Sequence, residues 1–267
     1  MKTKLAAALA ALCLLSGCAL SADTEALLRA PQLSGESRAL QKALNSYLNT
    51  AVTLKYPDSG DFLSPFAFGD WDGDGDDEAA VLYTADSAGT NVWLAALEAD
   101  VDGDGWRVSQ TVEGLSGEVE VFSAAHLRDT VSQQLIAGYT SAQGDSYLVV
   151  YRYADGSLNT VISQSYTNMI LADFTGKGDT QDLVLALPAE SDFGGVALQL
   201  LTNVDGEFRS AQTLNLGEGI YTGCAALQAG RGIDQHTYLV MDAYSDSGSL
   251  VSDIITYDEE TGFLQSY

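Results

Sequence analysis

The sequence predicts an all-β domain built from repeated four-stranded antiparallel units, and three observations carry this prediction. Residues 51–267 consist of short runs rich in β-branched and aromatic residues, separated by Gly, Asp, Asn and Ser. An aspartate-rich loop followed by an apolar strand occurs at 70–83 and again at 173–187. Turn glycines recur about 50 residues apart, at Gly89, Gly144, Gly195 and Gly248. Four short strands at this period are typical of the blades of a β-propeller.

The N-terminus has the pattern of an export signal. Lys2 and Lys4 precede an apolar run over residues 5–15, which is too short to span a bilayer. The run ends in Leu-Ser-Gly-Cys at 15–18, which resembles a bacterial lipobox. We therefore expect residues 1–17 to be a lipoprotein signal peptide, Cys18 to be lipidated and residues 18–35 to be a tether. The protein would then be extracytoplasmic and anchored by lipid to the bacterial cell membrane; the alternative is an ordinary signal peptide with a chance cysteine.

Charge and cysteine content limit the partners. The whole chain has 12 basic and 37 acidic residues; removing residues 1–17 takes away two lysines and no acids, so the net charge goes from −25 to −27. Such an acidic surface argues against binding nucleic acid or anionic lipid headgroups. Besides Cys18 the processed chain keeps only Cys224, so no disulfide is expected within it, and Cys224 is given no role.

One amphipathic helix is expected over residues 36–50. Apolar residues recur there at helical spacing: Ala39, Leu40, Ala43, Leu44, Tyr47 and Leu48. Ser34 is a plausible N-cap. We expect the apolar face to pack against the following domain, with a partner-binding helix as the alternative.

The β-domain, residues 51–267, is expected to contain four units, at about 62–118, 119–167, 168–218 and 219–267. The Asp-Gly pairs at 155–156 and 205–206 favour tight hairpin turns within these units. Four units are few for a propeller, and the last one reaches only what would be its fourth strand. The array is therefore either closed, with residues 51–56 as an edge strand, or open, or truncated.

The loop over residues 70–78 is the candidate metal site. Carboxylates stand at its first, third, fifth and ninth positions: Asp70, Asp72, Asp74 and Glu78. Asp76 at the seventh position can offer its backbone carbonyl, and Gly75 permits the turn. These carboxylates repel one another unless a hard cation lies among them, and oxygen ligands favour Ca²⁺ over a transition metal. We expect one structural calcium site; the alternative is a solvated acidic turn.

The loop over 173–182 is a degenerate copy. Asp173, Asp179 and Asp182 remain, but Thr175 and Lys177 replace the second and third aspartates of the first loop. We expect a weak or absent metal site there, with Lys177 pairing with Asp173 and Asp182 in place of a cation.

A family resemblance follows from residues 68–78, which read Phe-Gly-Asp-x-Asp-Gly-Asp-Gly-x-x-Glu. This stretch resembles the calcium loops of FG-GAP and VCBS-type repeats found in integrin-like β-propellers. The resemblance implies a propeller with loops held by calcium. The leader followed by an acidic repeat domain is also similar to uncharacterised surface lipoproteins of Gram-positive bacteria.

No catalytic constellation is visible in the sequence. His126 and His236, the two histidines, lie in no metal-binding or nucleophile-activating pattern, and no glycine-rich phosphate loop is present. We therefore expect a non-enzymatic binding or scaffold module at the cell surface, with a protein or glycan as its ligand. One alternative is a carboxylate-dependent hydrolase of envelope or dietary polysaccharide, which requires a deep central pocket with two carboxylates that bind no calcium. The other is a passive structural component of an envelope complex.

Overall fold

The described part of the chain is almost entirely β-structure. The computed structural model describes residues 34–60, 63–85, 91–100, 105–115, 117–178, 180–189, 195–216, 220–233, 235–258, 260 and 264–266. The predicted signal peptide and the predicted lipidation at Cys18 lie outside these residues. The chain divides into Met1–Glu36 and Ser37–Tyr267, and the second part carries the sheets.

The described residues form four antiparallel sheets that follow one another along the chain. The first contains β1 (Thr53–Leu54), β2 (Phe66–Gly69), β3 (Glu78–Thr84), β4 (Val92–Ala99) and β5 (Trp106–Glu113). The second contains β6 (Glu118–Ala125), β7 (Gln134–Thr140), β8 (Ser146–Ala154) and β9 (Ser157–Tyr166). The third contains β10 (Asn168–Ala172), β11 (Asp182–Pro188), β12 (Val196–Val204) and β13 (Glu207–Leu216). The fourth contains β14 (Tyr221–Arg231), β15 (Thr237–Ser245), β16 (Leu250–Tyr257) and β17 (Leu264–Ser266).

Consecutive strands pair throughout the sheets, except that β1 and β2 both pair with β3, so the prediction of a propeller-like all-β fold is confirmed. The short β1 lies beside β2 on the same edge of β3, with Thr53 opposite Thr84 and Phe66 opposite Val81. Residues 51–56 therefore contribute their strand to the first sheet. The fourth sheet has four strands of its own, because β17 pairs with β16.

The two Asp-Gly hairpins adopt the turn that their sequence favours. Asp155 and Gly156 have φ angles of 53° and 72°, and Asp205 and Gly206 have φ angles of 56° and 83°. Two consecutive residues with positive φ match the right-handed twist of the flanking strands. These turns join β8 to β9 and β12 to β13.

Apolar clusters hold neighbouring sheets together. Leu94 of the first sheet and Leu135 of the second share one cluster. Other clusters join the second sheet to the third and, through residues such as Leu198 and Met241, the third to the fourth. Burial of these side chains is the main favourable contribution to the stacking of the sheets.

The helix α1 (Gly35–Leu48) begins directly after Ser34, as expected. Leu40 and Leu44 are fully buried, whereas Tyr47 is 55% exposed. The carboxamide of Asn45 accepts a 3.0 Å hydrogen bond from the Val52 amide, which fixes the turn after the helix. The burial supports a core-facing role for the leucine stripe. Within the described residues, no helix has the length and apolarity needed to cross a membrane.

Candidate metal centre and adjoining cleft

Three of the five predicted calcium ligands come together in the loop between β2 and β3. Asp70, Asp72 and Glu78 each offer a carboxylate oxygen, and these oxygens lie within 4.8 Å of one another. Glu78 is the first residue of β3, so the sheet itself positions one side of the group. This acidic triad could hold a metal ion, and its all-oxygen donor set suits a hard cation.

Backbone amides already orient two aspartates of the loop. The carboxylate of Asp70 accepts hydrogen bonds from Gly73 N at 2.7 Å and Gly75 N at 3.0 Å. Asp72 Oδ1 accepts one from Asp74 N at 3.2 Å. Gly73 and Gly75 have φ angles of 87° and 96°, a left-handed conformation that favours glycine. These hydrogen bonds and the two left-handed glycines therefore define the shape of the loop.

Glu78 is the buried member of the triad. Its side chain is 4% exposed, and its Oε2 accepts a 2.8 Å hydrogen bond from the Trp71 amide. Burial raises the pKa of Glu78 to about 7, and the negative charges of Asp72, Asp74 and Asp70 contribute to the same effect. Burial, with the neighbouring Asp74 and Asp70 carboxylates, also raises the pKa of Asp72. A bound cation would offset this repulsion, so the residues fit a metal ion.

Asp74 and Asp76, the other two predicted ligands, are exposed on the same loop. The carboxylate of Asp74 accepts a 2.9 Å hydrogen bond from the Asp76 amide. Neither belongs to the triad. Their contribution to an ion's coordination stays a prediction.

A cleft of about 380 Å³ adjoins the triad between the first and second sheets. Its wall from the first sheet is the metal loop, including Asp72. The opposite wall contributes Arg128, Ser132, Arg152, Tyr153 and Asp155. Cationic and anionic side chains thus face one space of a size that suits a small molecule.

Sequence analysis missed the two arginines of this cleft. Arg128 lies in the connection between β6 and β7, and Arg152 lies near the end of β8. The guanidinium of Arg128 contacts the Asp129 carboxylate at 2.7 Å. Burial acts against ionisation of Asp129, but hydrogen bonds from the Ser132 amide and from Arg128 lower its pKa overall. The ion pair therefore persists well below neutral pH.

The floor of the cleft is aromatic and joins the two sheets. The Trp71 and Tyr153 rings meet edge to face, with centroids 6.1 Å apart and an interplanar angle of 74°. The Tyr153 hydroxyl donates to Glu98 Oε1 at 2.5 Å and also contacts Ser109 Oγ at 2.9 Å. These contacts hold Arg152 and Asp155, which flank Tyr153 in the chain, beside the metal loop.

In the degenerate loop before β11, the carboxylate of Asp182 is satisfied by hydrogen bonds, though not in the expected way. Asp182 is fully buried and accepts hydrogen bonds from Phe174 N at 2.9 Å, from Thr175 N at 2.8 Å, and from the hydroxyls of Thr175 and Thr202. Burial raises the pKa of Asp182, while these donors lower it in part.

The expected pairing of Lys177 with Asp173 and Asp182 is wrong. Lys177 Nζ donates instead to the backbone carbonyl of Asn203 at 3.2 Å. Threonine hydroxyls take the place of the ammonium because they can reach a fully buried carboxylate without bringing a charge into the core. Asp179, the remaining predicted member of this loop, lies outside the described residues.

A different kind of cavity lies between the second and third sheets. It measures about 460 Å³ and includes Gln181 and Ser123 among mainly apolar lining residues from β6, β7, β10 and β11. Its described lining contains no carboxylate. The pair of central carboxylates that a polysaccharide hydrolase requires is therefore absent from this described lining, and the charged groups meet at the metal loop instead.

His126 and Cys224 have structural surroundings. His126 Nδ1 lies 3.2 Å from the carbonyl oxygen of Ser132. Cys224 is half-buried, and burial raises the pKa of its thiol to about 11, so the reactive thiolate is scarce at neutral pH.

Comparison with known proteins adds similarity of fold only. No protein-family model matches the sequence, and no curated protein matches it. A candidate 6-phosphogluconolactonase from Bacteroides uniformis is 13% identical over 80% of this chain and 57% of its own, with a TM-score of 0.38. The periplasmic gluconolactonase of Pseudomonas aeruginosa is 13% identical over 81% of this chain and 94% of its own, with a TM-score of 0.32. The C-terminal domain of Pseudomonas aeruginosa PilY1 is 12% identical over 84% of this chain and 52% of its own, with a TM-score of 0.37.

This chain spans little more than half the length of the first of these structures. The prediction of a binding or scaffold module without enzymatic activity is wrong on this comparison, because two of the matched proteins are named as lactonases. The names of these two proteins agree better with the hydrolase alternative than with a scaffold. At such low identities and TM-scores the likeness carries no activity to this chain, and the case for hydrolysis rests on the cleft itself.

Proposed function

We propose that the protein is a metal-dependent hydrolase that opens an ester or lactone bond in an anionic, sugar-like substrate. The observation that supports this proposal is that Asp72, a member of the acidic triad, lines the same cleft as Arg128 and Arg152. Glycosidic cleavage requires two carboxylates flanking the bond, whereas acyl hydrolysis needs one polarised carbonyl and one activated water. The cleft suits acyl hydrolysis.

The residues of the cleft have separate roles in this proposal. When bound by Asp70, Asp72 and Glu78, a divalent cation supplies Lewis-acid polarisation of a carbonyl oxygen. Arg128 and Arg152 bind the carboxylate or phosphate of the substrate, since guanidinium groups hold such anions with two parallel hydrogen bonds. Asp155 accepts the proton of the attacking water. Trp71 and Tyr153, which are almost fully buried, hold the two walls of the cleft together through their edge-to-face contact.

We further propose that the cation is Ca²⁺, with Asp74 and the Asp76 carbonyl completing its coordination. This proposal includes the FG-GAP/VCBS resemblance of residues 68–78 and rests on the ligand spacing of that stretch. The site would then have both a structural role, holding the loop, and a chemical one.

The surroundings of the reaction are also part of the proposal. Lipidation at Cys18 would hold the protein on the outer side of the bacterial cell membrane, where a glycan or its breakdown product is the substrate. The lipobox-like stretch at 15–18 and the net charge of −25, which disfavours nucleic acid, support this proposal.

The test is hydrolysis by the full chain of anionic sugar lactones, namely aldaric acid monolactones and phosphorylated aldonolactones, measured by proton release in calcium and in chelator. We expect hydrolysis in calcium but not in chelator. Asp72→Asn should lower the hydrolytic activity at least tenfold, and Arg152→Gln should raise KM. Arg209→Gln is the matched control, because Arg209 is an exposed arginine paired with Asp205 away from the cleft. Hydrolysis that persists in chelator, or that neither cleft variant changes, would refute the proposal.

A further inference from the structure

A second cleft, of about 510 Å³, lies between the third and fourth sheets. The degenerate loop, the connection from β14 to β15, and the end of β16 form its walls. In these walls, Arg231 follows Arg128 of the first cleft by 103 residues, and Asp173 follows Asp70 of the first metal loop by the same number. The second cleft therefore occupies the equivalent position in the second half of the repeat array.

The chemistry of the two clefts has diverged. At the same spacing of 103 residues, Thr175 stands where the first loop has Asp72, and Lys177 where it has Asp74. Among the described residues no group of three potential ligands occurs in the second cleft. Its arginine is retained while its cation ligands are lost, so an anion can approach Arg231 directly.

Asp173 and Arg231 in the second cleft each have hydrogen-bonding capacity that no described contact uses. Asp173 Oδ2 accepts a 2.9 Å hydrogen bond from Gly178 N, but Asp173 Oδ1 is buried and has no hydrogen-bond partner among the described residues. The exposed Arg231 uses its Nε to donate to the Gln235 carbonyl oxygen at 3.2 Å. No described carboxylate forms an ion pair with Arg231. A ligand with both an acid group and a hydroxyl donor would satisfy both sites.

The remaining wall indicates the class of ligand. Tyr238 and Tyr257 line the cleft together with the threonine side chains at 175, 237 and 256. Aromatic rings with polar edges suit a ligand that has an apolar face and many hydroxyls, as a sugar ring has. We propose that this cleft binds an acidic saccharide without a metal, with a uronate carboxylate on Arg231 and a ring hydroxyl donating to Asp173 Oδ1.

The test uses trigalacturonic acid as the probe and the full chain in chelator, so that the result does not depend on the metal centre or on hydrolysis. Calorimetry should detect one site for the probe, and affinity should fall about tenfold or more in Arg231→Gln, because a charge-assisted hydrogen-bonding group is lost. Arg209→Gln should leave the affinity unchanged, because Arg209 is an exposed arginine that pairs with Asp205 and does not line either cleft. Maltotriose, a neutral saccharide of the same length, should bind at least tenfold more weakly.

A second measurement on the unchanged protein avoids any folding defect of a variant. In NMR titration with trigalacturonic acid, the amide signals of Thr237 and Tyr238 should shift, while those of the first metal loop should not. The proposal is overturned if the probe does not bind, or if Arg128→Gln rather than Arg231→Gln removes the binding. Equal affinity for inorganic phosphate would also overturn it, because the sugar would then contribute nothing.

Discussion

Replacing Glu78 by Gln should have opposite effects on stability with and without metal. The substitution keeps the shape of the side chain and an acceptor for the Trp71 amide, which lies 2.8 Å from Glu78 Oε2. It removes only the charge that the triad places in a buried position. The metal-free protein should therefore gain stability from this change at pH 8, and the calcium-bound protein should lose it.

The magnitude follows from the pKa of Glu78, which burial raises from its ordinary value of 4.5 to about 7. Between these two pH values the folded state binds the proton more tightly than the unfolded state does. The contribution of Glu78 to the unfolding free energy of the metal-free protein therefore falls as pH rises from 4.5 to about 7 and is level above that. At 1.36 kcal/mol per pH unit, ionised Glu78 costs at most about 3 kcal/mol at pH 8.

Urea denaturation at pH 4 and pH 8, in chelator and in calcium, measures both effects. In chelator, Glu78→Gln should be more stable than the natural protein at pH 8 and equally stable at pH 4. In calcium at about 100 times its dissociation constant, the natural protein should gain about 2.7 kcal/mol, and the variant should gain much less. Asp182→Asn is the matched control, because Asp182 is the buried carboxylate of the loop without a triad and its variant should keep the full calcium response.

If Glu78→Gln destabilises the protein in chelator at pH 8, then the buried charge of Glu78 is not a cost to the metal-free protein. If calcium stabilises the natural protein and the variant to the same extent, then Glu78 is not a calcium ligand.

Four further predictions concern metal binding and the fold. Calcium affinity measured by calorimetry should decrease as pH falls below about 7, because Glu78 must lose its proton to bind. Gly117→Ala should lower the urea midpoint far more than Gly144→Ala: both have positive φ, but a Cβ at Gly117 would lie 2.1 Å from the Thr140 carbonyl oxygen and one at Gly144 meets open space. Leu44→Ala should cost about 2–5 kcal/mol, because the side chain is fully buried; a loss under 0.5 kcal/mol in denaturation would contradict the packing of α1. Tyr153→Phe should cost about 1 kcal/mol in the same assay, since it removes the hydroxyl that joins the first two sheets.

The strands, the hairpin turns and the acidic loop were predicted correctly because they depend on local sequence patterns. The alternation of apolar runs with turn residues locates the strands, because a strand and its hairpin depend on a few consecutive residues. The Asp-Gly pair at 155–156 predicts its own turn, and the spacing of Asp70, Asp72 and Glu78 brings three carboxylates together within one loop. In each of these cases, neighbouring residues determine the geometry.

Errors arose where the partner lies far away in the sequence. Lys177 was expected to pair within its own loop, but it reaches the Asn203 carbonyl, and Thr202 supplies a hydroxyl to Asp182. Both partners lie in or near the end of β12, and their approach depends on how β11 and β12 pair. No pattern in the sequence around residue 177 contains that information.

The class of the fold, the number of sheets and the position of the acidic loop could be predicted from the sequence, because they follow from short-range periodicity and turn chemistry. What the acidic loop faces depends on tertiary packing. Arg128 and Arg152 lie more than 50 residues from Asp72 in the chain, and the packing of the second sheet against the first brings them to the same cleft. That packing depends on many buried side chains acting together, so an isolated motif could not indicate it.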